Sequence, residues 1–178
     1  MPSIKTVFHV HTDYSDDCNA PVEHILDQAV RTGVGCVTIT DHDTIEGALA
    51  LGRIAGDRLK VVIGEEITTS EGHLIGLYLR EEIQPGLSAR RTAELIRGQG
   101  GLVIAPHPFN SIFGCSLRDS VYGIVDLLHA VEVYNAQNLL FRANHQAERF
   151  ASQFRVPRIV GADVHHRGCL GVCFQWME

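Results

Sequence analysis

The chain has 178 residues, 45% of them hydrophobic, and a formal net charge of −6. That length and apolar share suit one globular domain over residues 1–178. The acidic balance argues against extended binding along nucleic-acid phosphate, so any bound phosphate must meet local arginines or metal ions. The opening MPSIKTVFHVHT lacks a basic segment followed by a long apolar run, and no run of about eighteen apolar residues occurs. Neither a secretory leader nor a membrane span is therefore expected. The five cysteines, Cys18, Cys36, Cys115, Cys169 and Cys173, form an odd set without a CxxC pair. A disulfide framework is not expected, and a reducing, cytoplasmic setting is.

Along the chain, strand and helix patterns alternate. Lys5–His11 is apolar and β-branched and ends in polar residues, as a first strand would. Pro21 opens a helical stretch that stops at Gly33, the usual asymmetry of proline at the start and glycine past the end. Cys36–Thr40 is a second strand. Asp43 to Glu46 is a variant capping box with Asp43 as the cap, opening a helix to about Gly56. Leu59–Ile63 is a third strand, and Ile67–Thr69 and His73–Leu79 flank a turn at Ser70 to Gly72, which predicts a hairpin. Ser88 caps a helix that Gly100 and Gly101 end. Then follow a strand at Leu102–Ala105, a helix at Val121–His129, a strand at Ala130–Tyr134 and a long helix at Gln137–Phe154. Arg158–Gly161 is the next strand and Gly171–Gln175 a short last one. The alternation predicts an α/β fold with a mainly parallel sheet. A full eight-fold barrel takes about 250 residues, so a smaller, incomplete barrel is expected.

Metal-capable side chains gather at the C-terminal ends of these strands, where α/β folds build their sites. His9 and His11 end the first strand, two apart and so on one face. Asp16 lies in the following loop. Asp41 and His42 end the second strand, Glu65 and Glu66 follow the third, and His73 begins the second arm of the hairpin. His107 follows the strand LVIA, and Asp163 and His165 follow RIVGA. Taken singly, a loop histidine is ordinarily a surface residue and an aspartate after a strand a turn or cap residue. Asp43 is better explained as a cap. His24, His129 and His145 lie in predicted helices and read as bystanders, while Glu132 and His166 stay open. Independent surface residues would not keep landing at strand ends, and it is the set that points to a metal centre.

The order of these motifs resembles the PHP family, the polymerase and histidinol phosphatase domain. His9-Val-His11-Thr-Asp-Tyr-Ser15-Asp16 is similar to its HxHT…SDG motif, with Asp17 where glycine is usual. Thr40-Asp41-His42-Asp43 matches the second motif fully. Gly64-Glu65-Glu66-Ile67-Thr68 resembles GxE[IV]S, which makes Glu66 the ligand and Glu65 the variable residue. His73-Leu-Ile-Gly76, Ala105-Pro-His107-Pro108, Glu132-Val-Tyr-Asn135 and Gly161-Ala-Asp163-Val-His165 follow in order, so the resemblance spans the chain. The long insertion that many members carry between the TDHD and later histidine motifs is missing, which bears on the substrate pocket more than on the metals.

The resemblance implies a small, distorted (β/α)7-type barrel and two to three divalent ions, for which zinc, manganese and iron all suit the donors. It implies a first ion on His9, His11, Glu66 and Asp163, and a second bridged by Glu66 and completed by His73 and His107. A third would sit on Asp16, His42 and His165, with Asp17 a competitor in that loop. The implied reaction is hydrolysis of a phosphate ester by a metal-bound hydroxide, with a small phosphorylated metabolite as substrate. His42 and His165 are candidates for proton transfer, Asp41 for orienting a ligand imidazole, and Arg118 and Arg167 for holding the substrate phosphate. The alternative within enzymes is a 5′-nucleotidase or a short-oligonucleotide exonuclease. A non-catalytic metal-binding module is disfavoured because every ligand position is filled. A hydrolase of C–N bonds is disfavoured by the TDHD and Gly-Ala-Asp-Val-His motifs.

Overall fold

A computed structural model describes residues 3–110, 115–138 and 141–178 of the chain. Its strands are β1 (Ile4–Val10), β2 (Cys36–Ile39), β3 (Lys60–Thr69), β4 (Gly72–Leu77), β5 (Leu102–Ala105), β6 (Ala130–Asn135), β7 (Arg158–Val164) and β8 (Gln175–Met177). They run in the order β2-β3-β4-β5-β6-β7-β1, and β1 pairs again with β2, so seven strands close into a barrel. β8 stands outside the ring, antiparallel to Ile4–Thr6 of β1. The expected parallel pairing holds for β1–β2, β2–β3, β5–β6, β6–β7 and β7–β1. β4 is the exception. It returns through a hairpin and is antiparallel to both β3 and β5.

Among the described residues, four α-helices pack around the barrel: α1 (Val22–Thr32), α2 (Glu46–Ala55), α3 (Ala89–Gly98) and α4 (Phe141–Phe154). α1 starts after Pro21 and ends at Gly33, whose left-handed backbone (φ 67°) lets its N–H reach the carbonyls of Ala29 and Val30. Ser88 caps α3 by accepting from Arg91 N. α2 departs from expectation. Asp43 does not cap it, because its carboxylate accepts from Thr68 N at 2.7 Å and is spent on β3. Ile45 stands at the cap position without a side-chain cap bond, and Thr44 Oγ1, just before it, accepts from Glu46 N at 3.1 Å.

The expected helix at Val121–His129 is a 3-10 turn over Arg118–Ile124. His129 is drawn instead into the sheet: its N–H donates to Val103 O, and its Nδ1 accepts from Val103 N at 2.9 Å. At Gln137 the expected helix is a turn, since Asn135 Oδ1 accepts from Gln137 N. The first residues expected of α4 include 139 and 140, which lie outside the described residues. The two segments expected around Gly64 are one strand. Gly64 makes this possible because a Cβ there would meet Gly76 O at 2.8 Å, across the β3–β4 pair.

Two apolar clusters fill the space between barrel and helices. One joins Ile67, Leu74 and Val103 to Ile96 of α3 and Phe150 of α4. The other joins Val7, Val37 and Ile39 to Ile25 of α1 and Leu51 of α2. A third cluster of Ile75, Leu77, Ile104, Ala130 and Ile159, with Phe8 and Val62 against it, belongs to the strands alone. Val62 shares a face of β3 with Glu66, and Ile75 shares a face of β4 with His73, because side chains alternate along a strand. The barrel interior is thus apolar at one end and polar at the other.

Glu65 lies on the opposite face from Glu66 and is fully buried, with Oε2 accepting from Ile83 N at 3.0 Å. Burial pushes its carboxyl up to about 7, and the nearby carboxylates of Asp43 and Glu82 push the same way. The folded chain therefore keeps this proton up to about pH 7, whereas the unfolded chain releases it near the ordinary 4.5. Stability contributed here is present below that lower value and is lost as pH rises through the window. Glu65→Gln should flatten the dependence and raise the melting temperature at pH 8 by a few degrees. Thermal unfolding of both proteins between pH 5 and 8 checks this, and parallel curves would refute it.

Candidate metal centre

Three bulges aim the polar end of the barrel. Val7 pairs with Val37, but Val10 pairs with Ile39, which leaves one extra residue in β1. β7 carries an extra residue opposite Phe8–Val10, and β6 another opposite Ile159–Val160. At the first two sit His9 and Asp163, with φ of 63° and 50°, and His107 past the end of β5 has φ 29°. Non-glycine residues rarely adopt this region, and bulges beside sites commonly re-aim a side chain. Simple alternation is therefore not what turns His9 and His11 inward. β1 ends at Val10. His9 N donates to Thr38 Oγ1 at 3.0 Å, and His11 N donates to Val164 O at 3.0 Å.

Glu66, 1% exposed, is the centre of the arrangement. Its Oε2 lies 3.0 Å from His9 Nε2, 3.2 Å from His11 Nε2 and 3.7 Å from His42 Nδ1. Its Oε1 lies 3.0 Å from His107 Nε2 and 3.1 Å from His73 Nδ1. Asp163 Oδ1 approaches His9 Nε2 (3.4 Å), His11 Nε2 (3.6 Å) and His165 Nδ1 (3.3 Å). Against the cost of burial, the imidazoles, His9 first, hold the Glu66 carboxyl well below the usual range. Burial pushes His11 down to about 4, so at neutral pH its ring is an uncharged donor. His9 goes the other way: Glu132, Asp163 and Glu66 raise it well above its usual value against burial. An ion binding there would displace a proton.

Partners behind the rings fix which nitrogen faces inward. Glu132 Oε1 lies 2.7 Å from His9 Nδ1, and its Oε2 accepts from His107 N and from Asn135 Nδ2. Glu132, open from sequence, is thus the carboxylate that orients His9. Gly161 makes room for it, since a Cβ there would collide with the Glu132 carboxylate. Ser15 Oγ lies 3.1 Å from His11 Nδ1, accepts from His42 N and donates to Asp41 Oδ1. Asp41 is fully buried, also accepts from Thr12 N and Thr12 Oγ1, and is not part of the cavity wall. Its carboxylate is linked to the His11 ring through Ser15, an arrangement that suits the orienting role expected of it better than direct contact with a substrate. These bonds occupy Nδ1 of His9 and His11 and turn the Nε2 atom of each toward carboxylate oxygens, as a lone pair on His11 and on His9 once its proton is displaced. His11 Nε2 is buried without a hydrogen-bond partner among the described residues. A lone pair facing an anion across so short a gap fits a cation between them.

The donor atoms fall into groups within 4.8 Å: His9 with His11 and Glu66, His9 with His107 and Asp163, His42 with Glu66 and His73, and His11 with Asp17, His42 and His165. A further group joins His73, His107 and Cys115. The loop residue differs from the expected Asp16. Asp17 Oδ2 lies 3.0 Å from His165 Nε2 and 3.3 Å from His42 Nε2. Consecutive turns, with Ser15 N donating to Thr12 O and Cys18 N to Ser15 O, carry Asp17 inward. They leave Asp16 out of the cavity wall, in an outer groove with Tyr14 and Asp43 that Asp17 and His42 also line.

The centre opens on a cavity of about 370 Å³ whose wall includes Asp17, His166, Gln137 and Cys115. Arg118 and Arg167, expected at a substrate phosphate, lie outside this wall. Arg118 N is engaged by Pro108 O, and Arg167 Nε donates to Asn19 O at 3.2 Å. Among the described residues, His24, His129 and His145, expected to be bystanders, join none of the donor groups. Cys115 at the wall was legible only as one thiol of five. If the loop donor is Asp17, Asp17→Asn should release one ion from metal-loaded protein while Asp16→Asn keeps the full complement. Elemental analysis after desalting decides between them, and the reverse pattern would restore Asp16.

Comparison with known proteins finds a family match. The PHP domain model matches residues 8–153. An uncharacterized protein of Methanocaldococcus jannaschii is 41% identical over 145 residues, covering 75% of this chain and 82% of its own. The phosphoribosyl 1,2-cyclic phosphate 1,2-diphosphodiesterase of Eggerthella lenta is 30% identical over 147 residues, covering 78% of this chain and 52% of its own. A crystal structure of a two-domain protein from Bacteroides vulgatus, containing a predicted PHP-like metal-dependent phosphoesterase, superposes with a TM-score of 0.76 at 18% identity. It covers 93% of this chain and 53% of that one, a likeness of fold. The chain belongs to the PHP-domain family.

Proposed function

We propose that the chain hydrolyses a phosphate ester of a small phosphorylated metabolite, with two to three divalent ions of the zinc, manganese or iron type held at the barrel mouth. The observation that carries this is Glu66, whose two carboxylate oxygens face separate pairs of imidazoles, His9 with His11 and His73 with His107. Such a carboxylate suits a bridge between two cations, offsetting their repulsion. His9, His11, Glu66 and Asp163 would hold one ion, and Glu66, His73 and His107 a second. Asp17, His42 and His165 would hold a third, in place of the set expected with Asp16. When bound, the ions would supply a water of lowered pKa and positive charge against the phosphoryl oxygens.

The protein's own groups would do the rest. No lysine or arginine lines the cavity among the described residues, so the phosphate depends on the ions for its countercharge. Glu132 and Ser15 keep the Nε2 lone pairs of His9 and His11 pointed inward. The two ring nitrogens of His42 both face carboxylates, Glu66 and Asp17, which suits it to ligation rather than to carrying a free proton. The small cavity favours a compact ester, and the acidic chain disfavours a long nucleic-acid track. The relative named as a cyclic phosphate diphosphodiesterase supports a small phosphorylated sugar derivative. Among the described residues, no helix is long and apolar enough to cross a membrane.

A second reading, a 5′-nucleotidase or short-oligonucleotide exonuclease, has one observation in its favour. Tyr14 is 47% exposed in the outer groove, which shares Asp17 and His42 with the cavity, and an aromatic face there suits stacking of a base. Metal-free protein reloaded with Mn, Zn or Fe and assayed on sugar phosphates, histidinol phosphate, nucleotides and short oligonucleotides separates the two. Hydrolysis of oligonucleotides alone would favour the second reading, and no hydrolysis with any metal would refute both.

Glu66→Gln should abolish turnover and strip most of the metal. His42→Ala should keep roughly two ions yet lose most turnover, because the sites sharing Glu66 do not need it. Loss of all metal in His42→Ala would show that the sites are not separable, and activity near wild type would show that the third ion is not catalytic.

A further inference from the structure

We infer that Cys115 is a ligand of the second ion, completing with Glu66, His73 and His107 a set of one sulfur, two nitrogens and one carboxylate oxygen. The inference rests on the metal-dependent reading above and goes beyond the donors that the motifs supply. Its ground is placement. Cys115 Sγ and a nitrogen each of His73 and His107 lie within 4.8 Å of one another, and all three residues line the same cavity. A zinc ion bound to sulfur at about 2.3 Å and to imidazole at about 2.0 Å needs only modest closing of that triangle.

The backbone holds Cys115 between the two histidines. His73 N donates to Cys115 O at 2.8 Å, and Ser116 Oγ donates to His107 O at 2.7 Å. Ser116 Oγ also lies 3.4 Å from His107 Nδ1, which leaves Nε2 of that ring for Glu66 and the ion. Gly72, with φ 136°, permits the approach. A Cβ there would stand 2.6 Å from both Ser116 C and Leu117 N. The start of β4 is thus shaped to let residues 115–117 lie directly against it. The other thiols are elsewhere: Cys18 is buried in the α1–α2 cluster, Cys169 and Cys173 pack against that cluster, and Cys36 is buried on β2.

A thiolate changes what the second position selects. On ligation the S–H bond breaks, the proton leaves to solvent, and a sulfur lone pair joins the ion. Sulfur with two imidazoles and a carboxylate favours zinc over manganese, whereas the positions built of nitrogen and oxygen alone admit either. One centre would then hold a zinc-selective position beside less selective neighbours.

Cobalt(II) loading tests this. Wild-type protein should show the visible bands of bound cobalt together with an intense near-ultraviolet sulfur-to-cobalt charge-transfer band. Cys115→Ser and Cys115→Ala should lose the charge-transfer band while keeping visible bands from the remaining positions. Zinc competition should show one position weakened about tenfold or more in either variant. Metal-loaded wild type should also present one fewer reactive thiol than the chelated protein. Cobalt binding without a sulfur band, or a band that survives both substitutions, would overturn the assignment of Cys115 and leave the phosphoesterase reading standing. Failure to bind cobalt at all would overturn both.

Discussion

A buried carboxylate among imidazoles is the constraint from which the rest of this structure follows. Glu66 has lost almost all contact with water, and an uncompensated anion in that position would be prohibitively costly. Five histidine rings surround it, and a ring offers compensation only if it carries a proton or if a cation stands between ring and carboxylate. The rear hydrogen bonds to Glu132 and Ser15 direct lone pairs of His9 and His11 toward the carboxylates, which makes cations the natural complement. The three bulges, the glycine at 161 and the burial of Asp41 behind the Thr12–Ser15 loop all serve to hold those rings at that distance.

The hairpin is the second organising feature. In a strictly parallel barrel, neighbouring donors are separated by a whole crossover. Here β4 folds straight back on β3, pairing Thr68 with His73 and Glu66 with Ile75. Glu66 and His73 are thus only seven residues apart in the chain, and two of the residues proposed for the second ion are joined by local structure. The same reversal brings Gly72 against the segment that carries Cys115 and Ser116, so one short hairpin arranges donors from two distant parts of the chain.

Much of this was legible in the sequence, and what escaped has definite causes. Helix ends governed by one residue, such as Pro21, Gly33 and Ser88, were readable because the physics is local. The clustering of His9, His42, Glu66, His107 and Asp163 at strand ends was readable because the fold builds sites there. Asp43 was misread as a cap because its carboxylate is taken by Thr68 N, a residue 25 positions away. Val121–His129 was misread as a helix because His129 is claimed by β5. The choice between Asp16 and Asp17 depends on how two successive turns wind, and spacing does not encode that. Glu132 lies in a motif whose order was legible, but the ring it orients was not, and Cys115 lies in no motif, since both reach the histidines through tertiary contacts.

The left-handed backbone at His9, His107 and Asp163 carries a cost of its own. Glycine would occupy each of these positions with less strain, and such strain is worth on the order of 1–3 kcal/mol per residue. These three residues mark places where the chain gives up stability for chemistry. A family member with glycine at these positions would shed the strain but leave Glu66 buried without the imidazoles that offset its charge, so the strained angles and the buried carboxylate are kept or lost together.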